Sequence, residues 1–475
     1  MKRKIMLLAV LFMATIILSC CGSSKDNKAD IIEIEKEIDE IIVSIDEHEA
    51  SLNVLNTPSD TVRKEVKSTS GASSAVMEYE VINPRLSRGN LPVYKIKPAK
   101  VNGKYILNIA NILFEKGEYT VLIPAAVCNE AQRNKQIEYY GKKLPELEKK
   151  LTDKTEIIWG GFVYSQLEEL RLGAGTSTII NDDEGVIFSY TDNADETSIY
   201  SEAILTGVIG DANYSLHYYK INDEQTLTVE KIFLDSEAQT VIRFPDSQRK
   251  NRALLFTNGN NRCDLETAKA RAQTLIDDFG TGTMICNEIY DIALSDPFSG
   301  DTYVDGYEFE YTIGWNGIEG VNCINRRCIP ASGSLGALED ISSVQNKGLD
   351  INNVTRQPCV RIKIDSYGVQ YISFNEFFDE IRCIESEAQL MSYDKIEQSA
   401  VNYMRELLDY AEKNNKGKQW FNADKVELKY ALVKYDDVYV MIPVWIYYNH
   451  LGDSLYDSVW IAVNAMDGST IQFFY

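Results

Sequence analysis

Histidine is nearly absent from this 475-residue chain, which has three: His48, His217 and His450. Zinc and iron centres built on imidazole need His close to other ligands, and none of the three has a ligand-type partner at metal spacing. The same scarcity weakens mechanisms in which a His activates a nucleophile. Also missing are a Gly-x-Ser-x-Gly elbow and a glycine-rich loop ahead of a Lys-Ser/Thr pair. The sequence therefore assigns no catalytic residue, no metal ligand set and no cofactor. Basic charge is short as well: 48 Lys and Arg stand against 71 Asp and Glu, a formal net charge of −23. Phosphate binding rests on a basic surface, so nucleic acid is not an expected partner. Beyond the first two dozen residues, no apolar stretch is long enough to cross a membrane.

What is present begins with Lys2, Arg3 and Lys4, followed by an apolar run from Ile5 to Leu18. A basic start and about 14 apolar residues make a secretory leader, too short for a spanning helix of ~20. The run ends Ile17-Leu18-Ser19-Cys20-Cys21-Gly22, which resembles the lipobox of bacterial lipoproteins. That resemblance implies that 1–19 is a signal peptide and that Cys20, or alternatively Cys21, is acylated by chains such as palmitate. It also implies a membrane-anchored protein on the extracytoplasmic face, held by more than one chain because a single chain binds weakly. Removing the three basic residues of the leader leaves 45 Lys and Arg against 71 acids, net −26.

Seven cysteines remain: Cys128, Cys263, Cys286, Cys323, Cys328, Cys359 and Cys383. The number is odd, so at least one is unpaired or pairs with another chain.

From Ile31, apolar residues recur at Ile34, Ile38, Ile41, Ile45, Leu52 and Leu55, with His48 in the same seam. Steps of three and four define a heptad helix, either a coiled-coil stalk or a helix lying on the body. Pro58 and the polar stretch 59–75, ending in Ser68-Thr69-Ser70-Gly71-Ala72-Ser73-Ser74, read as a linker. Segment 20–75 is thus expected to hold the anchor, a tethering helix and a linker. Segment 76–258 is expected to be an α+β domain with a β-rich second half, where short alternating runs are joined by Asp, Asn and Gly turns.

The remainder contains one pattern twice. In the first copy, 259–390, Asp264 caps a helix that Gly280 stops. Strands follow, and in one of them Tyr307, Phe309, Tyr311, Ile313 and Trp315 alternate with Glu308, Glu310, Thr312 and Gly314, as expected for a half-buried strand. The second copy, 391–475, starts at Ser392 and runs through a helix and strands. Val360–Asp365 with a turn at Gly368 matches Val459–Asn464 with a turn at Gly468. A helix, antiparallel strands and a closing hairpin on Gly resemble the PepSY family of exported bacterial proteins. Over its whole length the chain, with Leu91-Pro92-Val93-Tyr94-Lys95-Ile96 ahead of a helix ending in Leu113-Phe114, is similar to an uncharacterised family of clostridial lipoproteins. The resemblance implies a helix packed across each sheet and a role in binding or regulating exported proteins, and it carries over no catalytic residues.

The expected fold is therefore α+β, with an N-terminal helix, an antiparallel β-rich middle and two C-terminal helix-on-sheet units. Between the strands of the first copy, 316–358 is a long insertion rich in Gly, Ser and Asn, and such loops are as a rule functional or disordered. Trp315 at its root, with Arg326 and Arg327 inside it, are the binding candidates. Cys323 and Cys328 either form a disulfide that closes the loop or remain free thiols.

Ser392-Tyr393-Asp394-Lys395 matches a Ser-x-x-Lys motif, but Ser392 stands where a helix cap is needed. Asp192, Asn193, Asp195 and Glu196, like Asp296, Asp301 and Asp305, lack the regular spacing of a calcium loop and read as solvated turns. The expected role is non-catalytic binding of an exported protein, a peptide or a glycan at the membrane surface. The alternatives are a polymer hydrolase with a carboxylate pair and a structural envelope protein.

Overall fold

The computed structural model describes residues 57–82, 90–148, 170–231, 242–245, 263–321 and 357–471, apart from gaps at 59–60, 115–116, 172–177, 184, 193–194, 211, 222–223, 281–283, 296–301, 367, 414–422, 436–437 and 451–456. The signal peptide, the heptad helix, Cys323, Arg326, Arg327 and Cys328 lie outside the described residues.

The stretch expected to be a linker is instead a β-hairpin. Strands β1 (Val62–Lys67) and β2 (Ser74–Ile82) pair antiparallel from Val62↔Tyr79 to Lys67↔Ser74. Arg63, Glu65 and Lys67 are exposed while Val62, Lys64 and Val66 are covered. A period of two is thus hidden in a segment whose composition is polar. Strand β3 (Asn90–Pro98) leads to helix α1 (Gly103–Leu113), where the Asn102 side chain accepts from the Tyr105 N–H at 2.9 Å. Next come β4 (Tyr119–Leu122) and helix α2 (Glu130–Glu148). The antiparallel region between them and the first copy consists of β5 (Thr178–Asp183), β6 (Ile187–Asp192), β7 (Asp195–Ile209), β8 (Ala212–Ile221), β9 (Glu224–Lys231) and β10 (Ile242–Pro245).

Helix α3 (Leu265–Phe279) starts at the expected cap, with Asp264 accepting from the Thr267 N–H at 2.9 Å, and ends on left-handed Gly280. Strands β11 (Met284–Ser295), β12 (Thr302–Ile313), β13 (Cys359–Asp365) and β14 (Gly368–Asn375) follow, then β15 (Phe378–Gln389). The last stretch holds helix α4 (Tyr393–Lys413), β16 (Ala423–Tyr435), β17 (Val438–His450), β18 (Asp457–Asn464) and β19 (Thr470–Ile471). After α3 and after α4, four strands pair antiparallel in chain order, and each closing hairpin carries a glycine at positive φ, Gly368 at 106° and Gly468 at 76°.

The sheets cross the boundaries expected at 258 and 390. Strand β14 pairs with β9 from Tyr371↔Glu230 to Asn375↔Thr226, so the middle strands and the first meander share one eleven-stranded sheet. Strand β2 pairs with β16 in parallel, and β3 pairs with both β15 and β17, so N-terminal strands complete the eight-stranded sheet of the second meander. An unpaired strand edge takes a partner wherever the chain supplies one. All described residues belong to one unit, Ser51–Tyr475.

Helices α1 and α3 cover one face of the larger sheet. Ile106, Ile109, Leu113, Ala272, Leu275 and Ile276 pack there with Leu205, Leu216, Val229, Phe309, Ile362 and Ile372. Each fully buried Leu or Ile contributes roughly 1.5–3 kcal/mol.

Helix α4 lies on β1, β2, β18 and β19 and buries Ile396, Ala400, Met404 and Leu408. The β1–β2 hairpin fastens to it through polar groups. Tyr79 donates to Glu397 at 2.5 Å, Lys64 pairs with the same carboxylate, and the Thr69 N–H and hydroxyl both donate to Asp409 at 2.6 Å.

Strand β12 differs from the half-buried expectation, because Val304 to Gly314 are buried on both faces, Glu308 and Glu310 included.

Candidate functional site

On the face of the larger sheet opposite α1 and α3, register aligns side chains, polar except for Ile204 at the β7 end, into two adjacent rows across seven strands. One row runs Glu288, Glu310, Arg361, Ser373, Thr228, His217 and Ile204 from β11 to β7. The second runs Tyr290, Glu308, Lys363, Tyr371, Glu230, Ser215 and Thr206. At ~4.8 Å between strands, six intervals span about 29 Å. Strands alternate their side chains, so an apolar residue toward the helices fixes a polar neighbour toward this face.

The stripe is closed at both ends and open between them. Glu308 is fully buried and Arg361 is 4% exposed at one end. Ile204 and Thr206 are buried at the other, where the Tyr139 hydroxyl of α2 lies 3.0 Å from the Thr206 hydroxyl. Between them Glu230 is exposed, and Tyr219, beside the rows on β8, is 37% exposed. At the first of these ends, Arg361 Nη1 lies 3.5 Å and Lys363 Nζ 3.7 Å from the two oxygens of Glu308. The Arg361 Nε has no hydrogen-bond partner among the described residues, a cost of about 1–3 kcal/mol for a buried donor. Lys363 Nζ stands 4.9 Å from the centre of the Tyr371 ring. Burial, and then the charges of Glu230 and Glu308, push the Tyr371 hydroxyl above its ordinary value against the opposing pull of Ser373 and Arg361.

Beside the open part, three strands converge on one carboxylate. His217 Nε2 lies 2.5 Å from Glu202 Oε1, and Tyr190 donates to Glu202 Oε2 at 3.0 Å. The Tyr190 and Tyr200 rings stack at 5.8 Å, and Tyr219, opposite Glu202 in register, lies 6.1 Å from the His217 ring. The sequence alone separates these residues and treats His217 as isolated. The signal that could have found them is a polar pair two residues apart in successive strands: Glu308/Glu310, Arg361/Lys363, Tyr371/Ser373 and Thr228/Glu230.

Trp315 lies apart from the stripe. Its indole stacks on Tyr94 at 3.8 Å and 13° and meets Tyr430 edge-on at 5.1 Å, joining β12 to strands of the smaller sheet. The first residues of the expected insertion are ordered. Asn316 and Gly317, at φ 54° and 78°, make a tight turn closed by paired hydrogen bonds between Trp315 and Ile318. The chain then runs along β16, where the Tyr430 N–H donates to the Glu319 carbonyl at 2.9 Å and the Val321 N–H to the Tyr430 carbonyl at 2.7 Å. Lys429 binds Asn287 at 3.0 Å and Glu319 at 3.1 Å at the same junction. The first root of the segment is thus hydrogen-bonded to the smaller sheet.

Of the other sequence candidates, Asp305 accepts from the Ser366 N–H at 3.2 Å and hydroxyl at 2.7 Å, which fixes the β13–β14 turn. Ser392 starts α4, its carbonyl accepting from the N–H groups of Lys395 and Ile396. Among the described residues, no group of three or more His, Cys, Asp and Glu is placed to hold a metal ion, and no helix is long and apolar enough to cross a membrane. No family model matches the chain, and no curated protein or solved structure is significantly similar to it.

Proposed function

We propose that the protein is a lipoprotein held on the extracytoplasmic face of a cell membrane by acylated Cys20, or alternatively Cys21. Its folded body binds or regulates an exported protein, a peptide or a glycan without catalysis. The observation that carries the binding reading is the stripe, in which donors, acceptors and aromatic rings are fixed by register on rigid strands and open to solvent between its buried ends. In this reading the α3 and α4 meanders are PepSY-like units, residues 31–55 are the tether, and Trp315, Arg326 and Arg327 add to the binding surface, with Cys323–Cys328 closing their loop.

Two measurements test it. Mass spectrometry of the purified envelope protein should find acyl chains on Cys20 or Cys21 and no intact leader; a purely soluble, unacylated form refutes the anchor. Affinity capture on the anchored protein should enrich an envelope component that saturates with concentration, and its absence refutes binding. The cross-strand carboxylates Glu288 and Glu310 favour one other reading, a hydrolase acting on an envelope polymer. Release of shortened chains from such a polymer would establish that reading instead.

A further inference from the structure

We infer that the open middle of the stripe, with the carboxylate cluster beside it, is a subsite for a neutral oligosaccharide, lying across β7, β8, β9 and β14 and touching Glu202, His217, Tyr219, Thr228, Glu230 and Tyr371. This rests on the binding reading above and names the ligand class.

The position in the sheet excludes the commonest peptide mode. A peptide that adds as a strand needs an open sheet edge. These four strands are interior, each paired on both sides, so only side chains meet the ligand.

The chemistry of those side chains selects further. Glu202 and Glu230 oppose a phosphate or carboxylate, and Lys363 beside Tyr371 opposes a cation. A sugar hydroxyl both donates and accepts, and it suits a surface where carboxylates, an imidazole, Thr228 and an ammonium stand side by side. The exposed Tyr219 ring and the stacked Tyr190–Tyr200 pair supply the apolar faces on which a pyranose C–H surface rests. Glu202 is held by Tyr190 and His217, so it meets the ligand already oriented.

The test uses the full acylated chain in detergent micelles and isothermal titration with cello-, xylo-, manno- and chitohexaose. Oligogalacturonate and an oligolysine peptide serve as charged comparators. At least one neutral hexasaccharide should bind, and Tyr219→Ala should weaken it by about tenfold or more. Glu230→Gln should weaken it too, while urea midpoints stay at the wild-type value because both side chains are exposed. Unchanged affinity in the double variant overturns the proposal, as does binding of a charged probe alone. If no neutral probe binds but the wild type and Tyr219→Ala capture the same envelope component, the subsite falls while the general binding reading stands. Absence of both overturns both.

Discussion

Gln357 acts as a substitute peptide group on the edge of β16. Its Nε2 donates to the Leu432 carbonyl at 2.8 Å, and its Oε1 accepts from the Leu432 N–H at 2.7 Å. That edge is covered in turn by β2, by the chain at 319–321 and by Gln357. Gln357 is 3% exposed, so water does not replace the amide when it is removed. Gln357→Ala leaves one buried N–H and one buried carbonyl without partners, at about 1–3 kcal/mol each, so the loss should be roughly 2–6 kcal/mol. The assay is urea unfolding followed by tryptophan fluorescence, combined with amide hydrogen exchange at Leu432. The midpoint should fall, and the Leu432 amide should exchange faster while those in the β7–β8 pair keep their protection. A loss below about 0.5 kcal/mol with unchanged exchange at Leu432 would refute the view that Gln357 joins the two sheets.

A methyl group at Gly306 would meet the Ile364 carbonyl at 2.5 Å, with φ at 108°, so Gly306→Ala should destabilise by about 2 kcal/mol or more; an unchanged thermal midpoint counts against the tight β12–β13 approach. Burial first, then the charges of Glu397 and Asp394, push the Tyr393 hydroxyl up to about 12 from 10.0, so the unfolded chain releases this proton at lower pH than the folded one. Stability should therefore fall as pH rises from 10 to 12, by roughly 1.4 kcal/mol per unit for this group. Tyr393→Phe, which keeps the ring against Trp445 at 5.1 Å, should lose correspondingly less across that window; superimposable curves refute the assignment. Burial pushes the Cys263 and Cys286 thiols to about 11 from 9.0, so at pH 8 their thiolate fraction drops from about a tenth to about a thousandth. Iodoacetamide with peptide mapping should modify exposed Cys383 well before either, and equal rates would contradict this.

Local chemistry was legible in the sequence wherever one short segment contained the whole cause. The Asp264 cap, the Gly280 stop, the α4 start at Ser392 and the glycine turns at Gly368 and Gly468 all depend on groups a few residues apart. Consecutive antiparallel strands follow for the same reason. The Asn316-Gly317 turn is also local, but it stands at the edge of a segment whose composition reads as one long loop.

Composition misled at 59–75, because a hairpin of Ser, Lys and Glu reads as a linker until α4 supplies Asp409 and Glu397 as partners. Only the tertiary structure decided that β9 meets β14 and that β2 meets β16, since distant edges pair by register and no local pattern encodes that choice. It alone decided the stripe too. Glu308 and Arg361 occupy alternating positions that read the same whether the outer face meets water or protein. Whether such a row is a solvated surface or a buried line of paired charges depends on what the rest of the chain brings against it.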